Sequence, residues 1–209
     1  MIGPMLVLVF LFSGCMAVAP ESIAGEKERG TFATMLVTPV KRSHIAIGKI
    51  IALSTLSLIS GICSFLGIIL SLPKLVGGTG NISATVYTAS DYIMLLGIVL
   101  SSVLVIVALI SLISAFAKSV KEATNMIGPL MILVVLLGVS TMFTSGSAGA
   151  FFWYLIPLYN SARAMSGIFS FAASPLNVII TIASNLVVAL LLAFALAKMF
   201  DNEKIMFNK

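Results

Sequence analysis

Five apolar runs, each about as long as a lipid bilayer is thick, leave this chain few folds to choose from. They cover residues 2–19, 45–72, 92–116, 125–143 and 176–197. A helix rises about 1.5 Å per residue, so roughly 20 apolar residues cross a hydrocarbon core about 30 Å thick. In lipid, every backbone N–H and C=O must find its partner within the protein, which makes such runs helices. The sequence therefore predicts an all-α, polytopic transmembrane helix bundle that forms one domain over 1–209. Composition agrees: the chain is 60% hydrophobic and 9% charged, where a soluble domain carries roughly a quarter charged residues. The net charge of +5 is no nucleic-acid footprint, because its cations sit in the connections between spans, where membrane orientation places them.

The one long polar interruption is 21–49. It holds Glu21, Glu26, Lys27, Glu28, Arg29, Lys41, Arg42 and Lys49, eight of nineteen charged residues. Pro20 is expected to close the first span before it. Within it, Phe32, Met35 and Leu36 stand at i, i+3 and i+4, on one helical face. Gly30 precedes this piece, which runs from Thr31 to Val37, and Thr38-Pro39 ends it, since the residue before a proline is pushed out of the helical region. Ser43 is a fitting N-cap for the next helix. The pattern predicts a short amphipathic helix in the cytoplasmic segment 21–44, lying on the membrane surface or docked on a partner.

Charge counting orients the bundle. With 21–49, the Lys118–Lys121 turn and the C-terminal tail on one side, that side has ten Lys and Arg; the other has Lys74 and Arg163. The polar stretch and the C-terminus are then cytoplasmic. Five spans ending inside put Met1 outside, so the natural domain is expected to have six spans and this chain to lack the first. Residues 151–174 hold an aromatic cluster, Pro157, Asn160 and Arg163, which predicts a short interfacial or half-inserted helix at the outer face. Met1-Ile2-Gly3-Pro4 recurs as Met126-Ile127-Gly128-Pro129 in spans of opposite direction. An inverted repeat would produce this; so would chance in a composition this biased.

The residues offer no catalytic constellation. His44 is the single histidine, Cys15 and Cys63 lie in apolar runs without ligand spacing, and no charge lies deep in a span. Ion-coupled carriers usually keep buried carboxylates for the coupling ion, which weighs against a secondary transporter or channel. Polarity within the spans is hydroxyl and amide: Ser57, Ser60 and Ser64 on one stripe, Ser111 and Ser114, then Thr181, Ser184 and Asn185. Such stripes serve close helix packing; the alternative is that Ser57, Ser60, Ser64 and Asn160 line a polar path. Gly25 to Thr31 has the look of a phosphate loop but lacks its lysine and follows a membrane helix, so it is not a nucleotide site.

Gly25-Glu26-Lys27-Glu28-Arg29-Gly30-Thr31-Phe32, Met35-Leu36, Thr38-Pro39-Val40-Lys41-Arg42 and Ile47-Gly48-Lys49 together resemble the connector motif of ABC-2-type ABC transporter permeases, most closely the sodium-extrusion (NatB-like) branch. Pro157-Leu158-Tyr159-Asn160 is similar to that family's outer re-entrant segment, and 200–207 to its tail. The resemblance implies five spans of an ABC-2-type six-span fold, with a cytoplasmic coupling helix. It implies a permease subunit of an ABC exporter in a prokaryotic plasma membrane, working with a second permease copy, as homo- or heterodimer. ATP and magnesium would be bound by a separate ABC ATPase subunit, not by this chain. Sodium would be the exported ion. Glu26, Lys27, Glu28, Arg29, Gly30 and Thr31 would form the charged part of the ATPase contact, and Phe32, Met35, Leu36 and Pro39 the apolar part. Ala33 stands where the family often has Glu, and the family's first span and following extracellular domain are absent. These departures leave a second expectation: a non-transporting membrane subunit that scaffolds or regulates an intact permease.

Overall fold

The computed structural model describes residues 2–31, 42–77, 87–143 and 155–201. Its helices are α1 (Gly3–Glu28), α2 (Arg42–Gly77), α3 (Ala89–Phe116), α4 (Val120–Phe143), α5 (Tyr159–Phe169) and α6 (Pro175–Asp201). All but α5 contain a stretch long and apolar enough to cross a membrane. With 11 residues, α5 reaches only about 16 Å. The chain is thus the helical bundle that its apolar runs predict.

The most apolar helix, α3, is the axis of the bundle, packing most extensively on α6, α1 and α2. It is 56% buried along its apolar stretch and α1 is 44% buried, against 22% for α2, α4 and α6. Those last three turn their wider faces outward through residues such as Ile59, Leu136 and Phe194, which is where lipid would lie. The shared core is built from Leu8, Leu11 and Phe12 of α1, Ile98, Ile106 and Ile110 of α3, Met165 of α5 and Leu196 of α6.

Lipid tails are as apolar as leucine, so helices in a bilayer associate through close approach and dispersion rather than by escaping water. Two glycines of the bundle show this. A Cβ at Gly14 would lie 2.8 Å from Ser60 Oγ, and one at Gly138 would lie 3.0 Å from Met5 Cβ and 3.2 Å from Met5 Cα. The second contact is with backbone and has no soft end to give way. Gly138→Val is therefore expected to force α4 off α1 at a cost of about 1–3 kcal/mol, seen as a lower midpoint of thermal unfolding in detergent. An unchanged midpoint would mean that the two helices do not meet at this register.

Several boundaries differ from those the sequence suggests. Helix α1 does not stop at Pro20 but carries it, buried, and continues to Glu28. Likewise α2 runs through Pro73 to Gly77. Proline removes one hydrogen bond from a helix, yet packed neighbours make this tolerable in membrane bundles. Helix α4 begins at Val120 rather than 125, because Ser119 caps it: the Glu122 N–H donates to Ser119 Oγ at 3.2 Å and the Lys118 N–H to Glu122 Oε2 at 2.7 Å. Helix α3 begins before Asp91, whose carboxylate accepts the Thr88 N–H at 2.9 Å. The short helix α5 is not laid on the surface: it is wedged against α1, α3, α4 and α6, with Asn160, Ser161, Ala162 and Met165 fully buried. Leu158 at φ 68° and Phe171 at φ 56° make the sharp turns that admit it, a conformation that L-residues adopt only where packing over-determines it.

Candidate functional site

Two polar assemblies stand out against the apolar bundle. The first is at the end where α1 emerges. Lys27 and Glu28, neighbours in the last turn of α1, reach opposite termini of the α3–α4 hairpin. Lys27 Nζ donates to the Ala115 carbonyl in the last turn of α3, and Glu28 Oε2 accepts the Val120 N–H at 2.9 Å at the first turn of α4. Helix C-termini expose unpaired carbonyls and partial negative charge; N-termini expose unpaired N–H groups and partial positive charge. A cation followed by an anion is therefore the order this hairpin requires.

The same end of α1 is tied to α2. Lys49 Nζ lies 2.6 Å from Glu26 Oε2 and donates to the Ser22 carbonyl at 2.8 Å. The Lys49 side chain is 11% exposed and that of Glu26 25%, so this is a half-buried strut rather than an open surface pair. Arg29 pairs with Glu21 in the open. Gly30, at φ 73°, then closes α1: the Arg29 N–H returns to the Gly25 carbonyl and the Gly30 N–H to that of Lys27, a left-handed C-cap that glycine takes without strain. Arg29, Gly30 and Thr31 are left exposed at the tip.

The predicted coupling residues accordingly divide. Glu26, Lys27 and Glu28 brace the end of the bundle, and Arg29, Gly30 and Thr31 present themselves outward. Phe32, Met35, Leu36 and Pro39 lie outside the described residues.

The second assembly is mid-bundle. Asn185 of α6 donates through Nδ2 to Ser161 Oγ of α5 at 2.8 Å and to Ser101 Oγ of α3 at 3.3 Å. Ser161 Oγ donates in turn to Asn160 Oδ1 at 3.1 Å. All four residues are buried. Beside them, Ser184 Oγ donates to the Leu155 carbonyl at 3.1 Å, so consecutive residues of α6 hold both α5 and the segment leading into it. Of the predicted path residues, Asn160 joins this layer. Ser57 and Ser60 instead face α1, beside Cys15 and Gly14 respectively, and Ser64 is half-buried on the same stripe. The layer's other members, Ser101 and Ser161, carry no sequence signal of their own; the intramembrane Asn185 is the residue that points to it.

A cavity of about 150 Å³ lies between α2, α3 and α6 and is lined by Ser54, Leu104, Val107, Ser111, Leu186 and Leu190 among others. Among the described residues, no group of three His, Cys, Asp or Glu is placed to hold a metal ion.

Residues 1–204 match the family described as ABC-2 family transporter protein. The chain is also 34% identical over 165 residues to a protein of Bacillus subtilis (strain 168) called ABC transporter permease protein NatB. That match takes in 75% of this chain and 41% of the relative, so the chain spans less than half of the relative's length.

Proposed function

Because this chain belongs to the ABC-2 family of transporter proteins, we propose that it forms the membrane pathway of an ABC exporter whose ATP and magnesium are bound by a separate ATPase subunit. A second permease copy completes the pathway, and the bundle sits in a prokaryotic plasma membrane with its Lys27–Glu28 end and C-terminus in the cytoplasm. The similarity to a permease called NatB, with the connector motif, favours sodium as the exported ion.

The observation that carries this reading is the brace at the charged end. A connector that receives a push from an ATPase is useful only if its base is fixed to the helices that must move. Here one turn of α1 is bonded to α2 through Lys49, to α3 through Lys27 and to α4 through Glu28. A displacement of the exposed Arg29–Thr31 tip is thereby passed to four spans at once.

Inside-out proteoliposomes holding this chain, its ATPase and any second permease subunit are expected to accumulate radiolabelled sodium when ATP is added. ATP hydrolysis without sodium uptake would remove sodium from the reading and leave a permease for another substrate.

A further inference from the structure

Helices α2, α3 and α6 leave a gap between them toward the Lys27–Glu28 end of the bundle. Away from that end they touch through glycines. A Cβ at Gly61 of α2 would lie 3.1 Å from Val103 Cγ2 of α3, and one at Gly97 of α3 would lie 2.8 Å from Ile182 Cδ1 of α6. Nearer to that end lies the cavity of about 150 Å³. Ala108 of α3 and Ala189 and Ala193 of α6 line it, and their short side chains leave room that larger residues would fill. The lining follows α6 from Leu186 to Leu196, roughly 15 Å along the helix, so the space is a slot parallel to the helices.

An apolar cavity of this size inside a soluble protein stays dry and takes up small hydrocarbons or xenon. Here the lining is aliphatic except for the hydroxyls of Ser54 and Ser111, whereas a buried water needs several polar partners at one point. The surroundings of the slot favour a hydrocarbon guest. Every lining residue belongs to a stretch long and apolar enough to cross a membrane. The lip on α6 is formed by Leu186 and Leu190, both exposed on the side where lipid would lie. Wall atoms that face a void forfeit their dispersion contacts. In a bilayer the nearest hydrocarbon able to restore them is an acyl chain, which already runs along the helices.

We propose that this slot is a binding site for one acyl chain of a membrane phospholipid, inserted sideways between α2 and α6 until it rests on α3. Val107 and Ser111 of α3, each 3% exposed, form its floor, so the chain reaches the axis of the bundle there. Ile50, which lines the slot, follows Lys49 in sequence, and the guest therefore packs beside the strut that ties α2 to α1. The site requires only that the bundle lie in a membrane and is the same whichever substrate is exported.

The test uses the full chain in lipid nanodiscs made with a phosphatidylcholine that carries a photoactivatable diazirine midway along one acyl chain. After irradiation the labelled residues are mapped by mass spectrometry. Label is expected on Val107 or Ser111 as well as on the outward-facing Leu136 of α4. Ala193→Phe fills the slot and should remove the α3 label while Leu136 stays labelled. Ala108→Leu, a smaller filling, should reduce the α3 label even if the phenylalanine variant folds poorly. Label on Leu136 with none on Val107 or Ser111 in the wild type would overturn the site, the slot then being closed or covered by a second copy of the chain. So would an α3 label that persists undiminished in both filled variants. Neither the ATPase nor the exported ion takes part, so the outcome is independent of the export reading.

Discussion

Lys49→Leu is expected to lower ATP-driven transport at least tenfold while leaving a folded bundle in the membrane. Lys49 ties α2 to the polar end of α1, through Glu26 Oε2 at 2.6 Å and the Ser22 carbonyl at 2.8 Å. Leucine fills much of the same volume but leaves the Glu26 carboxylate, 25% exposed, without its counter-charge. The loss is about 1–3 kcal/mol, too little to unfold a bundle held by five spanning helices. It is ample to separate the two helices that flank the connector, since about 1.4 kcal/mol is a factor of ten. The double exchange Lys49→Glu with Glu26→Lys should recover much of the transport, as a coupled pair does in a mutant cycle. Equal transport in wild type and the leucine variant would show that the strut carries no motion.

A larger effect is expected from Phe32→Asp combined with Leu36→Asp. These residues share one face by their spacing, and the resemblance to ABC-2 permeases makes that face the apolar anchor on the ATPase. Two carboxylates at the centre of a protein interface would be desolvated without partners, a cost that commonly removes an interface altogether. Transport should fall to background, and ATP hydrolysis in the reconstituted complex should no longer respond to substrate. Helical content and yield of the chain should stay at wild-type values, because neither residue belongs to a spanning run. Substrate-stimulated ATPase activity at the wild-type level would show that this face is not the contact.

The apolar helices were legible because a run of apolar residues has one solution in lipid. Their ends were less so. Pro20 reads as a stop by local propensity, but a proline inside a packed membrane helix costs one hydrogen bond that neighbours can absorb. The start of α4 was written in the sequence as Ser119 followed three residues later by Glu122, a capping pattern masked by the two lysines around it. Helix α5 was recognisable as short from Pro157 and Arg163, whereas its burial depends on Ser184 and Asn185, which follow it by about one helix length. The brace and the polar layer are harder still. Glu28 meets Val120 across 92 residues and Asn185 meets Ser101 across 84. No periodicity encodes such pairs; they exist only once α1 lies beside α4 and α3 beside α6.

The charged end of this bundle is expected to dock an ATP-hydrolysing subunit. Purifying the tagged chain from its native membrane and identifying the proteins that stay bound tests it most directly. The predicted result is recovery of an ATP-binding-cassette subunit with ATPase activity, lost when Phe32 and Leu36 are both replaced by aspartate. Recovery of an intact permease without any ATPase would contradict it and make this chain a scaffold for another transporter.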